Sequence, residues 1–169
     1  MKTIALTATA AVSVLALTGA AHAQSLTADP YVGAGVTVID GAAELNAATG
    51  RAGLNFGDYL GVEAEASTGI TDDYVGAANV DLDHLAAVFG RVRAPLTPSL
   101  EAFAKGGFYT AQADVELAGA EATLNDDDFA AGAGLEWAVS GPHALRADYT
   151  NYGLDDDGHS GALSYVFHF

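Results

Sequence analysis

The last nine residues, Gly161-Ala162-Leu163-Ser164-Tyr165-Val166-Phe167-His168-Phe169, constrain the fold more than any other part of the chain. Side chains alternate across a β-strand with period two. Gly161, Leu163, Tyr165, Phe167 and Phe169 therefore share one face, and Ala162, Ser164, Val166 and His168 the other. A last strand that ends on an aromatic leaves an edge to be paired and an apolar face to be covered. A strand that closes a lipid-facing barrel meets both demands. The competing reading is the closing strand of a soluble sandwich, since periodicity alone does not distinguish lipid from core.

The start of the chain favours the membrane. Met1-Lys2-Thr3 is a short cationic lead, residues 4–17 are an unbroken run of apolar and small residues, and Ala21-His22-Ala23 precedes Gln24 as an A-x-A-like cleavage site. This order predicts a secretory signal peptide over residues 1–23, cleaved after Ala23, and a mature domain over 24–169. The apolar run is too short to span a bilayer, and no later stretch approaches the roughly 18 apolar residues a transmembrane helix needs. An exported chain without such a helix enters a membrane only as a closed barrel. With no cysteine, an exported chain cannot use disulfides and must be held by packing or by a strand ladder. The formal net charge is −16, which becomes −17 when Lys2 leaves with the signal peptide. That balance argues against nucleic-acid binding, which needs a basic surface.

Alternation predicts strands at 31–39, 51–56, 60–67, 84–93, 100–112, 129–139, 144–152 and 161–169. The connections at 57–59, 95–99 and 140–143 are tight and rich in Gly and Pro, whereas those at 40–50, 68–83, 113–128 and 153–160 are longer and acidic. Short turns at one end and long loops at the other are the layout of an outer-membrane barrel. The expected fold is all-β, a single eight-stranded antiparallel up-and-down transmembrane β-barrel with both termini at the short-turn end.

The charges decide which face is inside. Arg51, Glu63, Glu65, Arg91, Arg93, Glu101, Lys105, Glu136, Arg146 and Asp148 all fall on predicted strands, each on the face opposite the apolar residues. Among these neighbours are Leu54, Val62, Val88, Val92, Phe108, Leu135, Trp137, Leu145 and Tyr149. A charge facing lipid at mid-membrane costs about 2–4 kcal/mol, so the charged face is expected to line the interior. Eight strands enclose a space that side chains about fill. Five cations and five anions would form a paired plug there, because lone charges in so narrow a space are expensive. Trp137, Phe167 and Phe169 fall near the short-turn end, where an aromatic girdle belongs.

These segments resemble the OmpA-like, opacity-type outer-membrane β-barrel family, often called the porin family. The resemblance runs through Tyr31-Val32-Gly33-Ala34-Gly35, residues 55–63 (NFGDYLGVE), 93–98 (RAPLTP), 145–153 (LRADYTNYG) and the terminal residues 163–169. It implies a cell outer-membrane location in a Gram-negative envelope, surrounded by membrane lipid and lipopolysaccharide. It also implies a C-terminal signal, Leu163, Tyr165, Phe167 and Phe169, read by the barrel-assembly machinery. The chain ends at the eighth predicted strand, so the peptidoglycan-binding domain of full-length OmpA-type proteins is not expected.

Three functional classes follow. The first is a structural or surface-interaction barrel with its lumen filled by charged side chains. The second is a narrow, weakly cation-preferring pore, with the charges as a gate of the kind the resemblance suggests. The third is a lipid-modifying enzyme built on His159-Ser160 with Asp157. Two neighbours in a loop do not make a triad, so no enzymatic activity and no catalytic residue are expected. No cofactor is expected, and no histidine has metal-ligand spacing with another. The acids Asp126, Asp127, Asp128, Asp155, Asp156 and Asp157 are candidates for binding divalent cations, with a solvated acidic surface as the plainer alternative.

Overall fold

In a computed structural model, residues 28–40, 44–70, 73–75, 78–117, 120–153 and 158–169 are described; the predicted signal peptide lies outside them. They form nine strands: β1 (Ala28–Asp40), β2 (Glu44–Phe56), β3 (Leu60–Gly69), β4 (Asp73–Val75), β5 (Ala78–Pro95), β6 (Leu100–Leu117), β7 (Ala120–Ser140), β8 (His143–Tyr152) and β9 (Gly158–His168). Each pairs antiparallel with its sequence neighbours, apart from β3 and β4, which both lie along β5. β4 is thus a three-residue continuation of the β3 edge, and the barrel proper has eight strands. It closes where β1 meets β9, with Tyr31 opposite His168 and Asp40 opposite His159. Closure removes every edge within the slab, the requirement for β-structure in lipid.

The tight turns follow from local chemistry. Gly57 (φ 63°) and Gly141 (φ 55°) adopt the left-handed backbone of the first and third turns, a conformation costly for residues with a Cβ. At the second turn Thr97 Oγ1 accepts the amide of Leu100 at 3.0 Å, closing a Pro-flanked loop.

The far end differs from expectation. β2 begins at Glu44 rather than residue 51, and β6 and β7 run on as a ladder until Leu117 faces Ala120. The stretches 40–50 and 113–128 are therefore mostly strand, and Asp126, Asp127 and Asp128 lie on β7 instead of in a loop. Backbone pairing overrides side-chain preference here: Ala47 and Thr49 give little period-two contrast, and three consecutive acids read as a break. Strands of 18 and 21 residues exceed the roughly 9–11 a tilted strand needs to cross a membrane, so β5, β6 and β7 rise beyond the slab.

Outside, the wall is apolar. Val88, Val92, Phe108, Leu135, Trp137, Leu145, Tyr149, Leu163 and Tyr165 are exposed large side chains. Two belts of rings bound it. Trp137, Tyr165 and Phe169 mark the short-turn end, while Phe108 packs edge-on against Phe129 at 5.8 Å toward the other. Residues 129 and 137 are separated by roughly 26 Å of strand, or about 20 Å of slab at a tilt of about 40°.

Candidate functional site

Inward positions of the strands carry the charge. Arg51, Glu63, Glu65, Arg91, Lys105, Glu136, Arg146 and Asp148 are each less than a tenth exposed. They are stacked along the barrel axis in tiers, each of which is electrically neutral.

Lowest, beside the second turn, Arg93 and Glu101 form a bidentate pair at 2.7 and 2.6 Å, and Arg93 Nη1 also donates to the Gly57 carbonyl at 3.2 Å. Above them, Glu63 on β3, Arg91 on β5, Glu136 on β7 and Arg146 on β8 meet at the centre. Arg146 donates to Glu136 through Nε at 2.9 Å and Nη2 at 2.6 Å, and its Nη1 bonds Glu63. Arg91 is held differently. Its nearest carboxylates are Glu63 at 3.7 Å and Glu136 at 3.9 Å, and its Nη1 donates to the Tyr31 hydroxyl at 2.6 Å. Tyr31 passes the contact on, donating to Glu63 Oε2 at 2.5 Å. His168 Nε2 lies 2.8 Å from Glu136 Oε1. Phe103 faces both guanidinium groups, 4.2 Å from Arg91 and 4.9 Å from Arg146, contacts of about 0.5–2 kcal/mol each.

In the upper tier, Arg51 on β2, Glu65 on β3, Lys105 on β6 and Asp148 on β8 alternate in sign. Asp148 accepts from Arg51 at 2.8 Å and from Lys105 at 3.0 Å; Lys105 also reaches Glu65 at 2.5 Å, and Arg51 lies 3.9 Å from it.

Glycine makes the room. Gly53 is opposite Tyr31 in register, and a Cβ there would lie 2.6 Å from Tyr31 Cε1. At Gly33 a Cβ would lie 2.9 Å from Arg51 Cγ, and at Gly134 2.7 Å from Asp148 Cβ. Gly53→Val is expected to push Tyr31 off Glu63 and Arg91 and to cost about 1–3 kcal/mol by overpacking. The urea midpoint of the refolded barrel measures this, and an unchanged midpoint would refute the close fit.

Period-two alternation from Phe169 places His168 on the inner face, and the structure adds its contact with Glu136. Tyr31 enters the sequence reading only within the family motif, and Phe103 and Gly53 not at all, because neither an aromatic near a strand end nor a lone glycine announces a polar contact. The terminal residues Leu163, Tyr165 and Phe169 point outward and are exposed.

Other candidates are not assembled. His159 and Ser160 are strand neighbours and face opposite ways: Ser160 is buried inside, while His159 lies 3.6 Å from Asp40. Asp126 accepts the Tyr109 hydroxyl and Asp128 accepts the Phe129 amide at 2.6 Å. Being consecutive on a strand, Asp126, Asp127 and Asp128 cannot converge. Among the described residues no group of three acids, histidines or cysteines is placed to hold a metal ion. Asp155, Asp156 and Asp157 lie outside the described residues.

The fold is that of known membrane barrels. Ail, the attachment invasion locus protein of Yersinia pestis, in complex with the heparin analogue sucrose octasulfate, superposes with a TM-score of 0.62 at 14% identity, over 84% of this chain and 97% of Ail. The N-terminal β-barrel domain of Pseudomonas aeruginosa OprF gives 0.62 at 15% identity, over 85% and 100%. A de novo designed transmembrane β-barrel gives 0.60 at 20% identity, over 83% and 95%. No curated protein sequence matches. The model of the outer membrane protein beta-barrel domain matches residues 8–169. With an apolar wall, aromatic belts, a closed ladder and that match over nearly its whole length, the chain belongs to the outer membrane protein beta-barrel domain family and resides in the outer membrane.

Proposed function

We propose that this barrel is a structural or surface-interaction component of the outer membrane, and that its lumen is filled and does not conduct. The observation that carries this is the pairing: each of the five described cations lies within ion-pair distance of a carboxylate inside the barrel. Neutral tiers offer a permeating ion no net charge to exchange with. The fill is dense, since Arg146 and Glu63 are almost wholly buried. Planar-bilayer recording on the refolded protein tests the reading. Silence is expected, with heat-modifiable mobility showing a folded barrel. Discrete cation-preferring openings would instead support a narrow pore.

The same pairing bears on surface partners. Ail is known in complex with a heparin analogue, but here every described cation is already engaged within the barrel, so binding of sulfated polymers is not carried over. Partners at the outer end would be membrane lipid, lipopolysaccharide and neutral or cationic surfaces. No enzymatic role is proposed, because Ser160 and His159 face opposite sides of the wall. The reading includes export by residues 1–23 with removal after Ala23, which the intact mass of the membrane-extracted protein checks. It also includes recognition of Leu163, Tyr165, Phe167 and Phe169 during insertion.

A further inference from the structure

Above the upper tier the lumen changes chemistry. Leu45, Leu82, Leu85, Phe89, Tyr109 and Tyr152 converge from β2, β5, β6 and β8 into one buried apolar cluster, each less than a tenth exposed. A side chain on the inner wall of a barrel has only the lumen to face. Burial to this degree therefore means that neighbours fill the cross-section at that height. Phe89 is the floor: it is 1% exposed, and Lys105 Nζ lies 4.6 Å from its ring centroid, so the cluster rests on the charged tier beneath. Tyr109 and Tyr152 pack edge to face at 5.0 Å, and the Tyr109 hydroxyl is tied upward to Asp126.

The two halves of the lumen hold back water and ions by different means. The charged tiers are lined with donors and acceptors that water can follow whenever a pair loosens. Leu45, Leu82, Leu85 and Phe89 offer none, and the buried hydroxyls of Thr37, Thr49 and Ser67 beside them are hydrogen-bonded to one another; an apolar constriction excludes ions by dewetting. We infer that the outward seal of this barrel is the apolar plug, and that the ion pairs beneath are insulated from the outer medium by it. This rests on the filled-lumen reading and locates the seal within it. The seal then stays closed even when the ion pairs of the upper tier are broken.

The absence of cysteine from the chain permits a clean test. Thr150 faces inward on β8, two residues from Tyr152 on the charged-tier side, and is 2% exposed. Thr150→Cys serves as the reporter in intact cells, with a membrane-impermeant thiol reagent added outside and planar-bilayer recording of the same protein. Protection is expected with the plug intact. Adding Phe89→Ala with Tyr109→Ala is expected to raise the labelling rate at least about tenfold, as an opened apolar constriction wets. Leu85→Asn, which wets the plug at nearly constant volume, is the second variant should the double one fail to fold. Adding Lys105→Ala with Asp148→Ala, which removes one charge of each sign, is expected to leave Thr150→Cys protected. Faster labelling in that charge-pair variant than in the plug variants would overturn the inference, as would protection in folded plug variants. If the reporter protein is labelled and also conducts with the plug intact, the filled-lumen reading itself fails. A silent, protected reporter whose plug variants are labelled no faster sinks the plug alone.

Discussion

Replacing Arg146 with methionine is expected to destabilise the barrel by about 3–5 kcal/mol, the range for removing one partner of a buried ion pair. Arg146 is the residue through which the lower tier is joined. It bonds both Glu63 and Glu136, and its side chain has no measurable exposure. Without it, two buried carboxylates share Arg91, whose guanidinium stands 3.7 and 3.9 Å away, with His168 as the one further partner of Glu136. Arg91→Met is expected to cost less, because Arg146 still holds both acids. Adding Glu136→Gln to Arg146→Met is expected to recover part of the loss, since one buried negative charge goes. Urea titration in lipid vesicles, extrapolated linearly, reads all four proteins. Equal costs for Arg91 and Arg146 would mean that the lower tier is held by diffuse electrostatics rather than by the bonds described.

On the outer wall, Val88→Lys is expected to cost about 2–4 kcal/mol, the penalty for a cation facing lipid at mid-membrane. Val88 is 65% exposed and pairs with Ala64 in the middle of the β3–β5 ladder. In water such an exposed position tolerates lysine with a change near zero, within about 0.5 kcal/mol. The magnitude therefore separates a wall in lipid from a wall in water. Val88→Leu, which keeps the apolar surface, is expected to be close to neutral.

Much of this architecture is legible in the sequence, and the reason is the period of two. Once Phe169 fixes the parity of the last strand, Leu163 and Tyr165 fall outside and Ser164 and Val166 inside. The same rule sorts Arg146 from Leu145 and Glu136 from Trp137. Which charge meets which is another matter. Arg51 finds Asp148 and Arg146 finds Glu63 across 97 and 83 residues, and parity carries no information about height in the barrel. The apolar plug is not legible in the sequence for a related reason. Leu85, Ala87 and Phe89 share the parity of Arg91, so β5 is apolar on both faces along this stretch, and such a run does not declare which face lies inside. Strand ends at the outer side were set by backbone pairing in β6 and β7, which the acids Asp126, Asp127 and Asp128 disguise as a loop.

Along one strand, alternate residues meet lipid and lumen. Single cysteines at Ala86, Ala87, Val88, Gly90 and Val92 and at Leu85, each spin-labelled in the refolded barrel in bilayers, test it on β5. Collision with oxygen, which concentrates in lipid, is expected to be high at 86, 88, 90 and 92 and low at 85 and 87. A flat profile, or one with its maxima at 85 and 87, would overturn that alternation.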